Sequence, residues 1–512
     1  MVRTAVIIPI LTTLAGFAAA QPNPAPVPSA TTRAARQWRQ SHEQAIMGEF
    51  VDLLAIPNVT TDTANIRRNA DTILGMMRKR GVAAKLVGIP GANPVVYGEL
   101  KTPGATRTIV LYAHYDGQPL DAKEWTTPPF TPVLRDRLIE KDGQVIPWPA
   151  AQYPLNPEAR LYARSASDDK APILAMMTAL DALHAAGLRL HSNIRFVFEG
   201  EEEAGSTNLE KILAANKELF TGDVWLICDG PVAQNRQQLV AFGARGVTTV
   251  NITVYGPRRE LHSGHYGNWA PNPAMALARL LTSMKDDNGR VLVDHFYDGI
   301  APLSETEKRA IAEAPVPDAD LMKELWLGGT EGSPKKLIEL LQQPSLNIRG
   351  MASSRTGAQA SNVIPSSATA TIDMRLVKGM DHLQTVERLR EHIRRQGFFV
   401  VDTEPGGDVR MAHPKVALVT ASGFGYNAVR TSMDLPISRE VLRVVESARG
   451  PVVKVPTMGG SVPLDAIERA VGTHTISVPI ANHDNGQHSF NENIRVQNLW
   501  DGIELMAALI SM

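Results

Sequence analysis

Cysteine is almost missing from this chain of 512 residues. Cys228 stands alone, so no internal disulfide can staple the fold and stability has to come from buried apolar surface. Its place in the apolar run VWLIC reads as a buried strand thiol rather than a nucleophile. Net charge is missing too: Lys plus Arg (52) balances Asp plus Glu (53), which excludes the strong positive field that collects nucleic acid. There is no internal repeat, and low complexity is confined to a short leader. What remains is ordinary globular composition, 44% apolar and 21% charged, which excludes a fibrous or mostly disordered chain.

The first residues, MVRTAVIIPILTTLAGFAAAQ, put Arg3 ahead of an apolar run that closes on Ala18, Ala19 and Ala20. That is the grammar of a secretory signal with cleavage after Ala20. The run of about 16 residues is short of the about 20 a membrane span needs, so no stable membrane insertion is expected. QPNPAPVPSATT then reads as a flexible leader, and the protein as exported, periplasmic or secreted.

At this length two domains are the natural expectation. From 35 to 245, apolar strands such as TRTIVLYA, NIRFVFE and DVWLICD alternate with amphipathic helices, the pattern of an α/β domain with a mostly parallel, mixed sheet. GVTTVNITVYG and SATATIDMRLV instead alternate with period two and are joined by helical stretches, which predicts a smaller α+β domain with a sheet open on one face. The first texture returns near 425. The expected order is a signal peptide at 1–20, a leader at 21–34, a catalytic domain at 35–245 and 425–512, and an inserted lid and dimerisation domain at 246–424.

Polar residues suited to metal binding gather where predicted strands end, the edge at which open α/β sheets collect ligands. After TRTIVLYA come His114 and Asp116, whose spacing of two puts them on one face of extended chain; alone, the pair equally caps a turn. Asp168 and Asp169 open a helix, where an N-cap role competes with metal binding. Glu199, Glu201, Glu202 and Glu203 follow NIRFVFE; so many carboxylates after a buried strand repel one another unless solvated or joined by a cation. Asp229 ends DVWLICD and His488 lies in HDNGQHSFNENI, where turn and solvated-loop readings stay open. Together they supply two histidines and several carboxylates on one sheet edge, the N/O donor set of a zinc site.

In kind and order these motifs resemble the metallopeptidase family of carnosinase, cytosolic non-specific dipeptidase, aminoacylase, carboxypeptidase G and succinyl-diaminopimelate desuccinylase, from about residue 40 to the C-terminus. The likeness is greatest to the dipeptidase branch. The resemblance implies a zinc-dependent exopeptidase acting on dipeptides or short peptides with a free terminal carboxylate. It leaves deacylation of N-acyl amino acids or carboxypeptidase action on the same site as alternatives. It also implies two Zn2+ per chain, with Mn2+ or Co2+ as substitutes. His114 and Asp229 would serve one ion, Glu203 and His488 the other, and Asp168 both. Glu202 would be the general base and Asp116 the group that orients His114.

The LHSG stretch carries His262, which in such relatives reaches across a homodimer to the partner's site. Asn362 in SNVIP, Arg375 in DMRLV and the loop Gly459, Gly460, Ser461 match positions that hold substrate. Two departures stand out: Ala171 where relatives have glycine, and Thr457-Met458 where they have a charged pair. Against a catalytically silent peptide-binding protein, every expected ligand and the base Glu202 are present.

Overall fold

Strands Thr108–His114 and Asn193–Glu199, rich in β-branched and aromatic residues, are buried on both faces and pair in parallel at the centre of an eight-stranded sheet. Val224–Ile227 pairs in parallel with the first of them and Thr475–Ser477 with Val224–Ile227. Towards one margin Val95–Leu100 and Ala83–Val87 run antiparallel; at the other, Leu239–Ala241 meets Thr475–Ser477 in antiparallel sense and carries Val453–Val455. The middle of the sheet is parallel, and there the strands ending at His114, Glu199 and next to Asp229 lie side by side; the edge strand Val453–Val455 is also parallel to its neighbour Leu239–Ala241. The computed structural model describes residues 29–147, 153–460 and 462–512; the expected signal peptide, leader residues 21–28 and Ser461 lie outside the described residues.

Helices Ala30–Leu54, Lys170–Ala185 and Val496–Ile510 cover one face of this sheet. Lys170–Ala185 is apolar almost all round, as expected of a helix buried between others. Ala30–Leu54 begins inside the segment read as leader, because Ser29 accepts a hydrogen bond from the Thr32 backbone N–H and caps the helix, so residues 30–34 are helical. Leu209–Ala215 and Leu464–Val471 cover the other face. Cys228 is buried, its Sγ 3.9 Å from the Met506 sulfur, as the sequence predicts. Among the described residues no helix is long and apolar enough to cross a membrane.

A second, five-stranded sheet is formed by Ser345–Ala352, Ser367–Leu376, Gly246–Tyr255, Val416–Tyr426 and Phe399–Val401, in that order and antiparallel except at the last pair. Strict alternation decides its sidedness. Val250, Ile252, Ile372 and Met374 point into a core closed by helices Pro273–Thr282 and His382–Arg395. Thr249, Asp373 and Arg375 therefore point the other way, across a cleft of about 790 Å³ towards Glu202, Glu203 and His488.

Candidate metal centre

Strand ends bring the chemistry together. His114 is the last residue of its strand and fully buried, and its Nε2 lies 2.9 Å from Asp168 Oδ1 and 3.9 Å from Asp229 Oδ2. On the far side of Asp168, His488 Nε2 lies 3.3 Å from Oδ2, and 3.4 Å from Glu203 Oε2. Each oxygen of Asp168 thus faces a different histidine. Glu202 Oε2 is 4.0 Å from His114 Nε2. All five predicted ligands and the predicted base therefore share one site.

The acidic run is sorted by its partners. Glu199 accepts from the Tyr112 hydroxyl at 2.6 Å, and Glu201 from the Asn93 backbone and the Asn208 side chain, so both are consumed in structure. Glu202 and Glu203 open a short 3-10 turn, and their backbone N–H groups both donate to Asp116, at 3.1 and 3.0 Å. Asp116 is itself buried and also accepts from Thr60. Its Oδ1 lies 3.5 Å from His114 Nδ1, while the nearer oxygen to that nitrogen is its own backbone carbonyl at 3.1 Å. Asp116 thus anchors the turn carrying Glu202 and Glu203 as much as it orients the imidazole.

Charge balance tests whether a cation fits. Asp168 Oδ2 and Asp169 Oδ1 are buried without a hydrogen bond of good geometry. Burial, with the neighbouring carboxylates, pushes Glu203 up to about 8 and Asp229 up to about 6, and holds Glu202 well above the usual carboxylate range. His488 is raised to about 9, first by its hydrogen bond to Asp168. Such a cluster is costly unless positive charge sits among its oxygens, and histidine nitrogens with carboxylate oxygens suit zinc. Two groupings have donor atoms close enough for an ion: His114, Asp168 and Glu203, and His114, Asp169 and Asp229. Asp169 is held well above its usual range by burial, whereas for Asp168 the pull of His114 and His488 outweighs burial and keeps it ionised. Asp169 instead accepts from the His114 backbone N–H at 3.3 Å, and its side chain does not cap the helix it precedes.

Sequence reasoning missed Glu492. Fully buried, it accepts from Arg164, from the Ser167 hydroxyl and from the backbone N–H groups of Ser165, Ser167 and Asp168. It ties the loop carrying His488 to the loop carrying Asp168. The only hint was an acid four residues after His488 in an otherwise polar loop. Gln118, which donates to Glu203 at 2.6 Å, gave no signal at all.

The remaining predicted residues lie elsewhere. Arg375 lines the cleft, its Nε 3.2 Å from Asp373. His262, in a two-stranded ribbon, and Asn362, just before the ribbon's second strand Val363–Ile364, are exposed neighbours, and neither forms a hydrogen bond or ion pair with the five ligands among the described residues. His262 Nδ1 accepts from the Gly264 backbone, which leaves Nε2 as the ring's donor. Gly459 borders a separate apolar cavity with Leu341 and Met458, Gly460 is exposed, and the residues after this loop that line the cleft are Val462 and Pro463.

A family model described as Peptidase family M20/M25/M40 matches residues 110–512. The Cys-Gly metallodipeptidase dug1 of Schizosaccharomyces pombe is 26% identical over 424 residues, 81% of this chain and 82% of its own. The Beta-Ala-His dipeptidase of Homo sapiens is 27% identical over 423 residues, 81% of this chain and 76% of its own. The crystal structure of the M20 family metallo-carboxypeptidase Sso-CP2 from Sulfolobus solfataricus superposes with a TM-score of 0.75 at 25% identity, over 91% of this chain and 98% of that one.

Proposed function

Because the chain belongs to the M20/M25/M40 peptidase family, we propose that it is a metal-dependent dipeptidase holding two zinc ions. The observation that carries this reading is the convergence of His114, Asp168, Glu203, Asp229 and His488 on one cleft, with Glu202 beside them. His114 and Asp229 would hold one ion, His488 and Glu203 the other, with Asp168 between them. When bound, such ions supply Lewis acidity towards the scissile carbonyl and lower the pKa of a water towards about 7. Glu202 takes a proton from the attacking water as its oxygen bonds to the carbonyl carbon. It then delivers that proton to the amine nitrogen as the C–N bond breaks. Arg375 pairs with the peptide's terminal carboxylate.

His262 belongs to the same proposal. Its Nδ1 is engaged by the Gly264 backbone and no hydrogen bond or ion pair joins it to its own chain's ligands among the described residues, which supports a role in the site of a second copy in a homodimer, stabilising the oxyanion there. Export of the chain is likewise proposed, on the N-terminal grammar alone; finding the full-length protein only in the cytosolic fraction would refute it.

The central reading is tested on a panel of dipeptides, tripeptides and N-acyl amino acids. Dipeptides should be hydrolysed fastest, chelation should abolish turnover, and two zinc ions per chain should restore it. Undiminished turnover by metal-free protein would overturn it.

A further inference from the structure

Glu202, Glu203 and Glu210 line the cleft together with Arg349, Arg375 and Arg469, and the cations are not equally engaged. Arg469 is bound to Glu210 at 2.8 Å, and Arg375 to Asp373 at 3.2 Å. Arg349, which lines the same cleft, has no hydrogen-bond or ion-pair partner among the described residues. Its position is a built one. Ile348 pairs with Ile372 and Gly350 with Thr371, so Arg349 is the extra residue of a β-bulge, a device that re-aims a side chain at the margin of a sheet. Behind the strands bearing Arg349 and Arg375, the buried guanidinium of Arg245, pushed down to about 10 by burial and then by Arg375, adds positive character.

We propose that Arg349 binds a second carboxylate of the substrate, so that peptides with an acidic side chain are preferred. This rests on the dipeptidase reading of the cleft, in which Arg375 takes the terminal carboxylate. Arg375 stands opposite Ser345, and Arg349 lies four positions further along that neighbouring strand, roughly 13 Å at the backbone at about 3.3 Å per residue. Two long arginine side chains can close that span onto carboxylates borne by adjacent residues, whose Cα atoms are about 3.8 Å apart. An unpaired guanidinium forms charge-assisted hydrogen bonds to a carboxylate and much weaker ones to the neutral amide of the same shape.

The test uses matched dipeptides that differ only as Glu against Gln, at the N-terminal and at the C-terminal residue, on the native protein and on Arg349→Met and Arg349→Lys. Native protein should favour the Glu member at one position by about tenfold in kcat/KM, the scale of a hydrogen bond to a charged group. Arg349→Met should erase that preference while leaving the Gln member within about twofold, and Arg349→Lys should keep part of it. Arg349 is exposed and unpartnered, so matching thermal melts are expected for all three proteins. A Glu-to-Gln ratio unchanged by Arg349→Met overturns the proposal. Calorimetric binding of the same peptide pairs to metal-free protein gives this ratio without turnover. Failure to hydrolyse any dipeptide, Glu or Gln member alike, would therefore sink the dipeptidase reading, while the binding ratio still decides the role of Arg349.

Discussion

Across the cleft, the wall carrying His114 and Asp229 and the wall carrying Arg349 and Arg375 are held in place by opposite means. On the first, the ligands come from five separate segments; His114, Asp168 and Asp229 are buried, Asp168 sits on the loop that Glu492 holds, and Glu203 is fixed by Gln118 and by Asp116. On the second, the polar residues share one sheet and are partly or fully exposed; their direction follows from strand alternation and one bulge. The wall of candidate ligands is held by buried hydrogen bonds, whereas the facing sheet presents long, partly exposed side chains. Chemistry is assigned to the first and discrimination to the second.

Three experiments sharpen that contrast. The largest effect is expected at the base: Glu202→Gln should lower kcat by about 10²–10⁴ while zinc content stays at the native level, whereas Glu203→Gln should lose zinc. Metal analysis showing the reverse would mean that the two adjacent glutamates have exchanged roles.

Next comes the lid residue His262, whose removal should lower kcat by about 10²–10³, the scale for one oxyanion donor. If it acts in a partner's site, mixed dimers of His262→Ala and Glu202→Ala chains rebuild one site from two defective subunits. Purified through separate tags, they should regain about half of native activity, on a count of one intact site in two. Mixed dimers as inactive as either parent, from chains that fold and bind zinc, would restrict His262 to its own chain or to no catalytic part.

The smallest effect tests positioning from a distance. Glu492 touches neither substrate nor any proposed metal, yet Glu492→Gln turns an acceptor into a donor against a set of N–H groups. Zinc affinity measured against a competing chelator should fall by about 10–100-fold, with KM for dipeptide little changed once zinc is saturating. Native zinc affinity in a folded Glu492→Gln protein would show that the buried network serves only stability.

Much of this was legible beforehand. The strands ending at His114, at Glu199 and just before Asp229 are apolar runs in the sequence, and strict alternation in Gly246–Tyr255 and Ser367–Leu376 marks a sheet open on one face. The donor set could be collected because metal-binding residue types recur at strand ends. Roles within the acidic run were less accessible: Glu199 and Glu201 look no different in sequence from Glu202 and Glu203, and only Tyr112, Asn93 and Asn208 tell them apart. Arg349 likewise gave no signal in the sequence, since a bulge depends on the register of the neighbouring strand.

Composition, periodicity and residue type by themselves determined the two kinds of sheet, the burial of Cys228 and the identity of the candidate ligands. These follow from local geometry, the alternation of strands and the periodicity of helices, and from the intrinsic chemistry of imidazole and carboxylate. Tertiary structure alone decided that Asp168 stands between two histidines while Asp169 turns to the backbone, that Glu492 joins loops more than 300 residues apart in the chain, and that Arg349 is left unpaired among the described residues. Those outcomes depend on which distant groups satisfy which buried polar atoms, and that accounting closes only when the whole chain is packed.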